Sequence, residues 1–257
     1  MNAKEIVRLL SKEASAFYQI KTEDTVTSTN DIIKEQAKKS VPEGAVLISR
    51  EQTKGKGTKG RSFFSPKGGG IYMSVLLRPQ LPPEKTVMIT TAAAVSVCKA
   101  IENLTDKSPK IKWVNDILID GKKVCGILTE GSPGQYAVLG IGINAFAPEN
   151  GFPEEIKDIA GAVCDEYEEN FKNELVAEIL NSFLTYYKDL ANNPHTADYK
   201  AYSAVLGKEI IVIENERQIP ATALDIDDDC RLKVRFKDSS EKLLNSGEVS
   251  LNLQKLK

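Results

Sequence analysis

The chain has 257 residues, enough for one large domain or two small ones. Hydrophobic residues make up 41% and charged residues 27%, a globular balance that supports a real core and excludes a disordered or fibrous chain. With 34 Lys and Arg against 36 Asp and Glu, the net charge of −2 gives no ground for binding bulk nucleic acid or an anionic membrane.

Residues 3–16 have helical spacing, with Ile6, Leu9, Leu10 and Glu13 stacked over successive turns. They make a single short element, which leaves no room for a winged DNA-binding head before the next motif. Lys4, Glu5, Arg8, Lys12 and Glu13 interrupt its apolar positions, unlike a signal peptide. The apolar runs elsewhere are shorter than a bilayer span, so a cytoplasmic protein is expected. Residues 17–26 read as extended. Ser28-Thr29-Asn30-Asp31 opens a helix to about Lys39, with Ser28 and Asp31 in a capping-box arrangement. Residues 45–49 form a short apolar strand. Residues 52–70 are rich in Gly and Lys and have no period. Residues 71–77 alternate as a strand, stopped by Pro79 and Pro82-Pro83.

A long apolar helix is expected over 86–103. Residues 110–116, 117–119, 123–130 and 136–144 follow as strands or hairpins, with tight turns at Asp120-Gly121 and Pro133-Gly134. Residues 145–161 form a Gly-, Pro- and Glu-rich loop too long for a simple connector. A helix over 173–190 puts Leu175, Ile179, Phe183 and Tyr187 on one face. Residues 192–204, with Asn, Pro and His, are the best linker candidate. Short alternating strands then follow over 209–213, 219–226, 232–236 and 241–244, and Ser246-Gly247-Glu248 precedes a last one. A run of strands without a helix suggests a small β-barrel. The expected domains are residues 1–204 and 205–257.

The rare residues narrow the chemistry. The one histidine, His195, lies beside Asn193 and Pro194 and reads as surface loop, so no His-based triad or multi-histidine zinc site is available. Cys98, Cys125, Cys164 and Cys230 are far apart with no C-x-x-C, and Cys98 and Cys125 read as small buried hydrophobes. Lysine, arginine, carboxylates, amides, hydroxyls and backbone must do the work.

Four local patterns could do it. Gly55-Lys56-Gly57-Thr58-Lys59-Gly60-Arg61 matches G-x-G-x-x-G, but Ser62 to Gly70 cannot be the helix that a Rossmann or P-loop phosphate site requires. What remains is a basic glycine loop whose backbone N–H groups and Lys54, Lys56, Lys59 and Arg61 suit a polyanion, unless it is simply a solvated loop. Lys110-Ile111-Lys112-Trp113-Val114-Asn115-Asp116 leads through the Asp120-Gly121 turn to Lys123. Strand alternation puts Lys123, Cys125 and Ile127 on one face and Val124, Gly126 and Leu128 on the other. Lys123 is either a partly buried ammonium aimed at an anion or an edge-strand gatekeeper. Asn115-Asp116 alone reads equally as a turn. Gly140-Ile141-Gly142-Ile143-Asn144 marks close approach of a ligand or tight strand packing. Ser28-Thr29-Asn30 caps a helix and offers donors and acceptors to a small polar ring.

Taken in order, these motifs resemble the biotin protein ligases, also called biotin–[acetyl-CoA-carboxylase] ligases. The carriers are Ser28-Thr29-Asn30, Gln52 ahead of the glycine loop, Lys112-Trp113-Val114-Asn115-Asp116, Gly121-Lys122-Lys123 with Gly126-Ile127-Leu128, and Gly140-Ile141-Gly142-Ile143-Asn144. The tail, including Gly247-Glu248-Val249-Ser250, is similar to the family's SH3-like C-terminal domain. The resemblance is to the short form without a winged-helix head. It implies an α+β fold, with a mixed-sheet catalytic domain of the biotin/lipoate ligase type and a small SH3-like β-barrel.

The resemblance also implies a two-step reaction: biotin and ATP give biotinyl-5′-AMP and pyrophosphate, and an acceptor lysine then takes the biotinyl group. Its implied biotin residues are Ser28, Thr29, Asn30 and Gln52 for the ureido ring and its surroundings, and Lys56, Gly57 and Thr58 for the carboxylate and adenylate linkage. Gly126, Gly140 and Gly142 would wall the pocket. Lys123 would hold the carboxylate and stabilise charge, and Arg61 would act near the phosphates. Lys56, Thr58, Arg61, Trp113, Asn115 and Asn144 would serve the adenylate, and Asp116 a Mg²⁺. The implied partner is the carboxyl carrier domain of a biotin-dependent carboxylase or decarboxylase. No DNA or membrane is implied, and the enzyme would be a monomer or homodimer. Two departures stand out. Thr58 and Lys56 occupy positions where relatives have arginines, which implies weaker retention of the adenylate. Val114 replaces a proline, which implies a looser turn. A lipoate or octanoate ligase shares the architecture but needs a long apolar slot. A biotin-responsive DNA-binding regulator and an inactive binding module also compete with the ligase reading.

Overall fold

The computed structural model describes residues 1–39, 41–82, 85–214, 217–245 and 247–251. Pro83 of the expected strand stop and Ser246 of the expected last turn lie outside the described residues. In the first part of the chain, seven strands form one mixed sheet: β1 (Gln19–Val26), β2 (Ala45–Gln52), β3 (Gly70–Leu77), β4 (Lys110–Lys112), β5 (Asp116–Ile119), β6 (Lys122–Ser132) and β7 (Tyr136–Asn144). Their order is β1-β2-β3-β7-β6-β5-β4; β1 and β2 run parallel and the other neighbours antiparallel.

Residues 3–16 form two helices rather than one. α1 (Ala3–Leu9) ends at extended Leu10, and Ser11 starts α2 (Lys12–Phe17) by accepting from Ala14 N at 3.1 Å. A serine can cap a helix more cheaply than it can sit inside one, and Ser11 N also donates to Asn181 Oδ1 at 2.9 Å. α3 (Thr29–Lys38) has Ser28 as its N-cap, as the capping pattern predicts.

The two faces of the sheet are covered differently. α4 (Val87–Leu104) and α5 (Phe171–Lys188) cover one face and meet Ile71, Met73, Val75, Leu139, Ile141 and Ile143 in the main core. α4 corrects the expectation about apolar runs: among the described residues it is long and apolar enough to cross a membrane, and it is instead a core helix, mostly buried. On the opposite face α3 covers one end only, through Ile33, Ala37, Leu47, Leu76 and Val138. The rest of that face carries Gly126, Gly140 and Gly142. The loop before β3 closes over it, through Phe63 and Pro66 against Tyr72, so the alternation of β3 leaves no exposed face and all its residues are buried.

The segment read as linker and surface loop is packed. α6 (Thr196–Ala201) buries Tyr199 and Thr196, and His195 has no solvent exposure. Ile111 N donates to Tyr202 O and Ala204 N to Ile111 O, both at 2.8 Å, so this stretch lines the β4 edge. The polar Asn193-Pro194 signal hid a histidine whose Nε2 finds Thr91 Oγ1 at 2.8 Å. Beyond it, β8 (Glu209–Glu214), β9 (Arg217–Ile226), β10 (Leu232–Phe236), β11 (Glu241–Leu244) and β12 (Glu248–Ser250) form a small antiparallel sheet ordered β11-β10-β9-β8-β12. The cysteines are free, and Cys98, Cys125 and Cys230 are buried.

Candidate active site

The floor of the site is bare strand. β6 and β7 place Gly126 opposite Gly142 and Leu128 opposite Gly140, and β3 sets Ser74 beside Gly140. Absent side chains here are filled by others. A Cβ on Gly140 would stand 2.3 Å from Asn30 Oδ1, and one on Gly142 would stand 2.7 Å from the Phe63 ring. Between them lies an inner pocket of ≈ 30 Å³, lined by Ser28, Thr29, Asn30, Gln52, Lys56, Phe63, Met73, Leu128 and the three glycines, among others. That is room for roughly two waters.

Its polar wall is closely wired. Ser65 Oγ donates to Phe63 O at 2.8 Å and accepts from Gln52 Nε2 at 3.1 Å. Gln52 Oε1 accepts from Thr29 N at 2.8 Å and Thr29 Oγ1 at 3.0 Å. Ser74 Oγ lies 2.7 Å from Thr29 Oγ1 and 2.6 Å from Asn30 Oδ1. Asn30 Nδ2 donates to Glu130 Oε2 at 2.9 Å, and Glu130 also pairs with Lys34. Burial works against the charge on Glu130, but the Lys34 and Asn30 hydrogen bonds outweigh it and hold the carboxyl below the usual range. Lys56 Nζ lies 2.5 Å from Asp31 Oδ1, and that bond raises the lysine pKa.

Lys123 reaches this face because the strand is irregular. Ile117 pairs with Cys125 but Leu118 pairs with Lys123, so one residue, Val124, is extra. A bulge of this kind reverses the alternation. The expectation that Lys123 shares a face with Cys125 and Ile127 is therefore corrected. Its Nζ would lie 3.2 Å from a Cβ on Gly126, and it stands 5.9 Å from the Phe63 ring centre. Asp116 Oδ1 pairs with it at 2.6 Å, and Lys112 reaches Asp116 Oδ2 at 3.5 Å.

Lys123 opens onto an outer cavity of ≈ 640 Å³, a volume suited to a nucleotide-sized ligand. Gly57, Thr58, Arg61, Trp113, Asn115, Asp116 and Asn144 line it on the catalytic-sheet side, with Ile156 and Ile159 from the 145–161 loop and Ile211 and Ile213 from the small sheet opposite. Phe63 lines both spaces and forms the wall between them. The glycine loop is a small hairpin rather than an open amide cradle. Gly57 N donates to Arg61 O at 2.7 Å and Phe63 N to Gly55 O at 3.0 Å, so part of its backbone is spent on itself. Side-chain cations carry the charge instead.

Residues 23–144 match the biotin/lipoate A/B protein ligase family, and residues 205–252 match the biotin protein ligase C terminal domain. The bifunctional ligase/repressor BirA of Bacillus subtilis is 33% identical over 231 residues, covering 87% of this chain and 71% of the relative. The chain belongs to the biotin protein ligase family. The biotin–[acetyl-CoA-carboxylase] ligase of Mycobacterium tuberculosis is 31% identical over 216 residues, covering 80% of this chain and 79% of the relative. Among solved structures, the biotin protein ligase of Aquifex aeolicus in complex with biotin and ATP superposes with a TM-score of 0.75 at 26% identity, covering 92% of this chain and 99% of that one.

In this biotin protein ligase, the residues expected to bind biotin divide between the two spaces. Ser28, Thr29, Asn30, Gln52, Lys56, Gly126, Gly140 and Gly142 gather at the inner pocket, while Gly57 and Thr58 line the outer cavity and Lys123 stands where the two meet. Several expected adenylate residues have a structural hold as well. Asn115 Nδ2 donates to Ile127 O at 2.7 Å, Asn144 Nδ2 to Gly161 O at 2.9 Å, and Trp113 Nε1 to Cys230 O at 2.9 Å. Val114 O accepts from Tyr199 Oη at 2.9 Å, which ties down the stretch expected to be loose. Arg61 Nη2 lies 3.2 Å from Thr58 Oγ1. Sequence reasoning missed Phe63, Ser74 and Glu130. The aromatic pair after the loop was a signal for the first; Ser74 and Glu130 carry none until the sheet is assembled.

Proposed function

We propose that this chain activates biotin with ATP as biotinyl-5′-AMP and transfers the biotinyl group to a lysine of a biotin carboxyl carrier protein domain. The carrying observation is an acceptor-rich polar pocket and a nucleotide-sized cavity set on either side of Phe63, with Lys123 beside that wall. A cyclic urea presents two N–H donors around a carbonyl. Thr29 and Asn30, oriented by Gln52 and Ser74, supply acceptors, and Ser28, whose oxygen receives Asp31 N, retains its hydroxyl proton for the carbonyl. The named relatives and the Aquifex complex with biotin and ATP support the same substrates.

In the first step a biotin carboxylate oxygen attacks the α-phosphorus, and the bond to pyrophosphate breaks. Two anions must meet, so fixed cations are the main requirement. Lys123 stands at the junction, with Lys112 behind it and Arg61 across the cavity. In the second step a neutral acceptor amine attacks the activated carbonyl and AMP leaves. Holding the partners side by side can supply roughly 7–11 kcal/mol of the acceleration. Among the described residues, no cluster of three or more metal-ligating side chains exists. Asp116, the carboxylate on the cavity wall, is held by Lys123 and Lys112 and would turn from them to a Mg²⁺ arriving on the nucleotide's phosphates, where the ion would offset their charge. The proposed domain break is at residue 204, and a cytosolic enzyme, monomeric or homodimeric, without DNA or membrane partners, completes the reading.

A lipoate or octanoate ligase is the second reading. The buried amides and hydroxyls of the inner pocket disfavour it, because an alkyl chain would leave them unmet. Incubating a carboxyl carrier domain with ATP and each acid, then weighing the product, tests both. A mass increase with biotin alone is expected; transfer of lipoate or octanoate alone overturns the proposal.

A further inference from the structure

Hydrogen bonds along the inner pocket have a direction, and it can be followed from both ends. Ser65 spends its proton on Phe63 O, so Gln52 must turn its amide N–H towards Ser65 and its Oε1 towards Thr29. Thr29 then spends its own proton on Gln52 and offers only lone pairs to Ser74. From the other end, an ionised carboxylate accepts and cannot donate. Glu130 therefore draws Asn30 Nδ2 to itself at 2.9 Å, helped by Leu128 O at 3.4 Å, and this turns Asn30 Oδ1 towards Ser74. Ser74, fully buried, holds one proton for two acceptors. Three oxygen–oxygen contacts, Gln52–Thr29, Thr29–Ser74 and Ser74–Asn30, share two hydroxyl protons, so the wall is one donor short, and a ligand N–H can make up the deficit.

We propose that Glu130 is a positioning residue: acting through Asn30, it sets the direction of this chain of bonds and so makes the pocket select an acid that carries N–H donors. This deepens the reading that the inner pocket takes biotin's urea, and rests on it. Glu130 does not line the pocket itself. Its replacement by glutamine keeps the shape but adds an N–H that can donate to Asn30 Oδ1. Asn30 is then free to turn over, present Nδ2 to Ser74 and release the Ser74 proton to Thr29. The deficit disappears, and with it the demand for a donor on the ligand.

The test uses the whole chain and two acids of equal shape: biotin, and its cyclic carbamate, in which a ring oxygen replaces one urea N–H. Dissociation constants come from calorimetry, and KM for ATP from pyrophosphate release. The unsubstituted protein should prefer biotin by about tenfold, the worth of one hydrogen bond in a closed site. Glu130→Gln should reduce that preference to within about threefold and leave KM for ATP unchanged. Lys34→Met, which leaves Glu130 an acceptor, should keep the preference. Ser74→Ala should move the other way, since it leaves two acceptors unmet, and should widen the preference by at least about threefold. It decides the matter if Glu130→Gln does not fold. Affinities for both acids that fall in parallel in Glu130→Gln, or a preference that narrows in Ser74→Ala, overturn the proposal. An unsubstituted protein that binds both acids equally overturns instead the placement of the urea.

Discussion

Replacing Lys123 by alanine should separate activity from stability. The Lys123 side chain is 36% exposed and paired at 2.6 Å with Asp116. An ion pair this open contributes about 0–1 kcal/mol to folding. Asp116 also keeps Lys112 at 3.5 Å, so the truncation does not strand a carboxylate. The fold should therefore lose less than about 1 kcal/mol. The reaction should lose far more. Lys123 stands where a carboxylate must approach an α-phosphate, and removing one preorganised donor at developing charge costs about 2.7–4 kcal/mol, or about 10²–10³ in kcat. Lys123→Arg keeps the charge but not the compact ammonium, and should recover only part of the rate. The assay is single-turnover pyrophosphate release at saturating biotin and ATP, beside urea unfolding of the same samples. Normal release from folded Lys123→Ala protein would refute the reasoning, and so would a loss of rate that merely follows a loss of fold.

Three further outcomes are expected. Gly140→Ala places a methyl 2.3 Å from Asn30 Oδ1, inside the wired wall, whereas Gly142→Ala meets the edge of the Phe63 ring at 2.7 Å, on a loop. The first should destabilise by about 1–3 kcal/mol and weaken biotin binding at least tenfold, the second should mainly slow biotin association, and equal effects in unfolding and stopped-flow binding would reject the distinction. Burial pulls the His195 pKa down from 6.5 to about 4, Asp198 opposing. The unfolded chain takes up this proton below pH 6.5 and the folded chain only near 4, so its stabilisation is complete above 6.5 and drains away as pH falls through that window. Relative to His195→Gln, urea unfolding should register a loss of about 2–3 kcal/mol between pH 7 and 4.5, and parallel curves would exclude it. Trp113→Phe leaves Cys230 O without its 2.9 Å donor. It should cost about 1–3 kcal/mol and raise KM for ATP more than for biotin; a change confined to biotin would contradict the cavity assignment.

Much of the site was legible in the chain because its signals are local. Ser28 caps α3 as its spacing predicts, Asp120 and Gly121 both adopt positive φ at 50° and 77° in a two-residue turn, and the glycine loop has no helix after it. Other features were misread for a reason common to them. Strand alternation assigned Lys123 to the wrong face because a one-residue bulge depends on which partner Leu118 finds across the sheet. His195 looked like loop because Asn193 and Pro194 dominate its neighbourhood, while its partner Thr91 lies 104 residues away in sequence. The single helix expected over residues 3–16 broke at Ser11 because Asn181, on α5, takes its backbone N–H.

Composition and short-range pattern by themselves determined the class of chemistry: a near-neutral chain with one histidine and no cysteine cluster must rely on cations, amides and hydroxyls. They also determined where those groups sit along the chain. Tertiary structure alone decided which of them face each other. Thr29, Ser74 and Glu130 come from a helix and two strands, and their shared direction of hydrogen bonding exists only after β3, β6 and β7 pair. A hydrogen bond is directional and short-ranged, so its meaning resides in the contact and not in either residue.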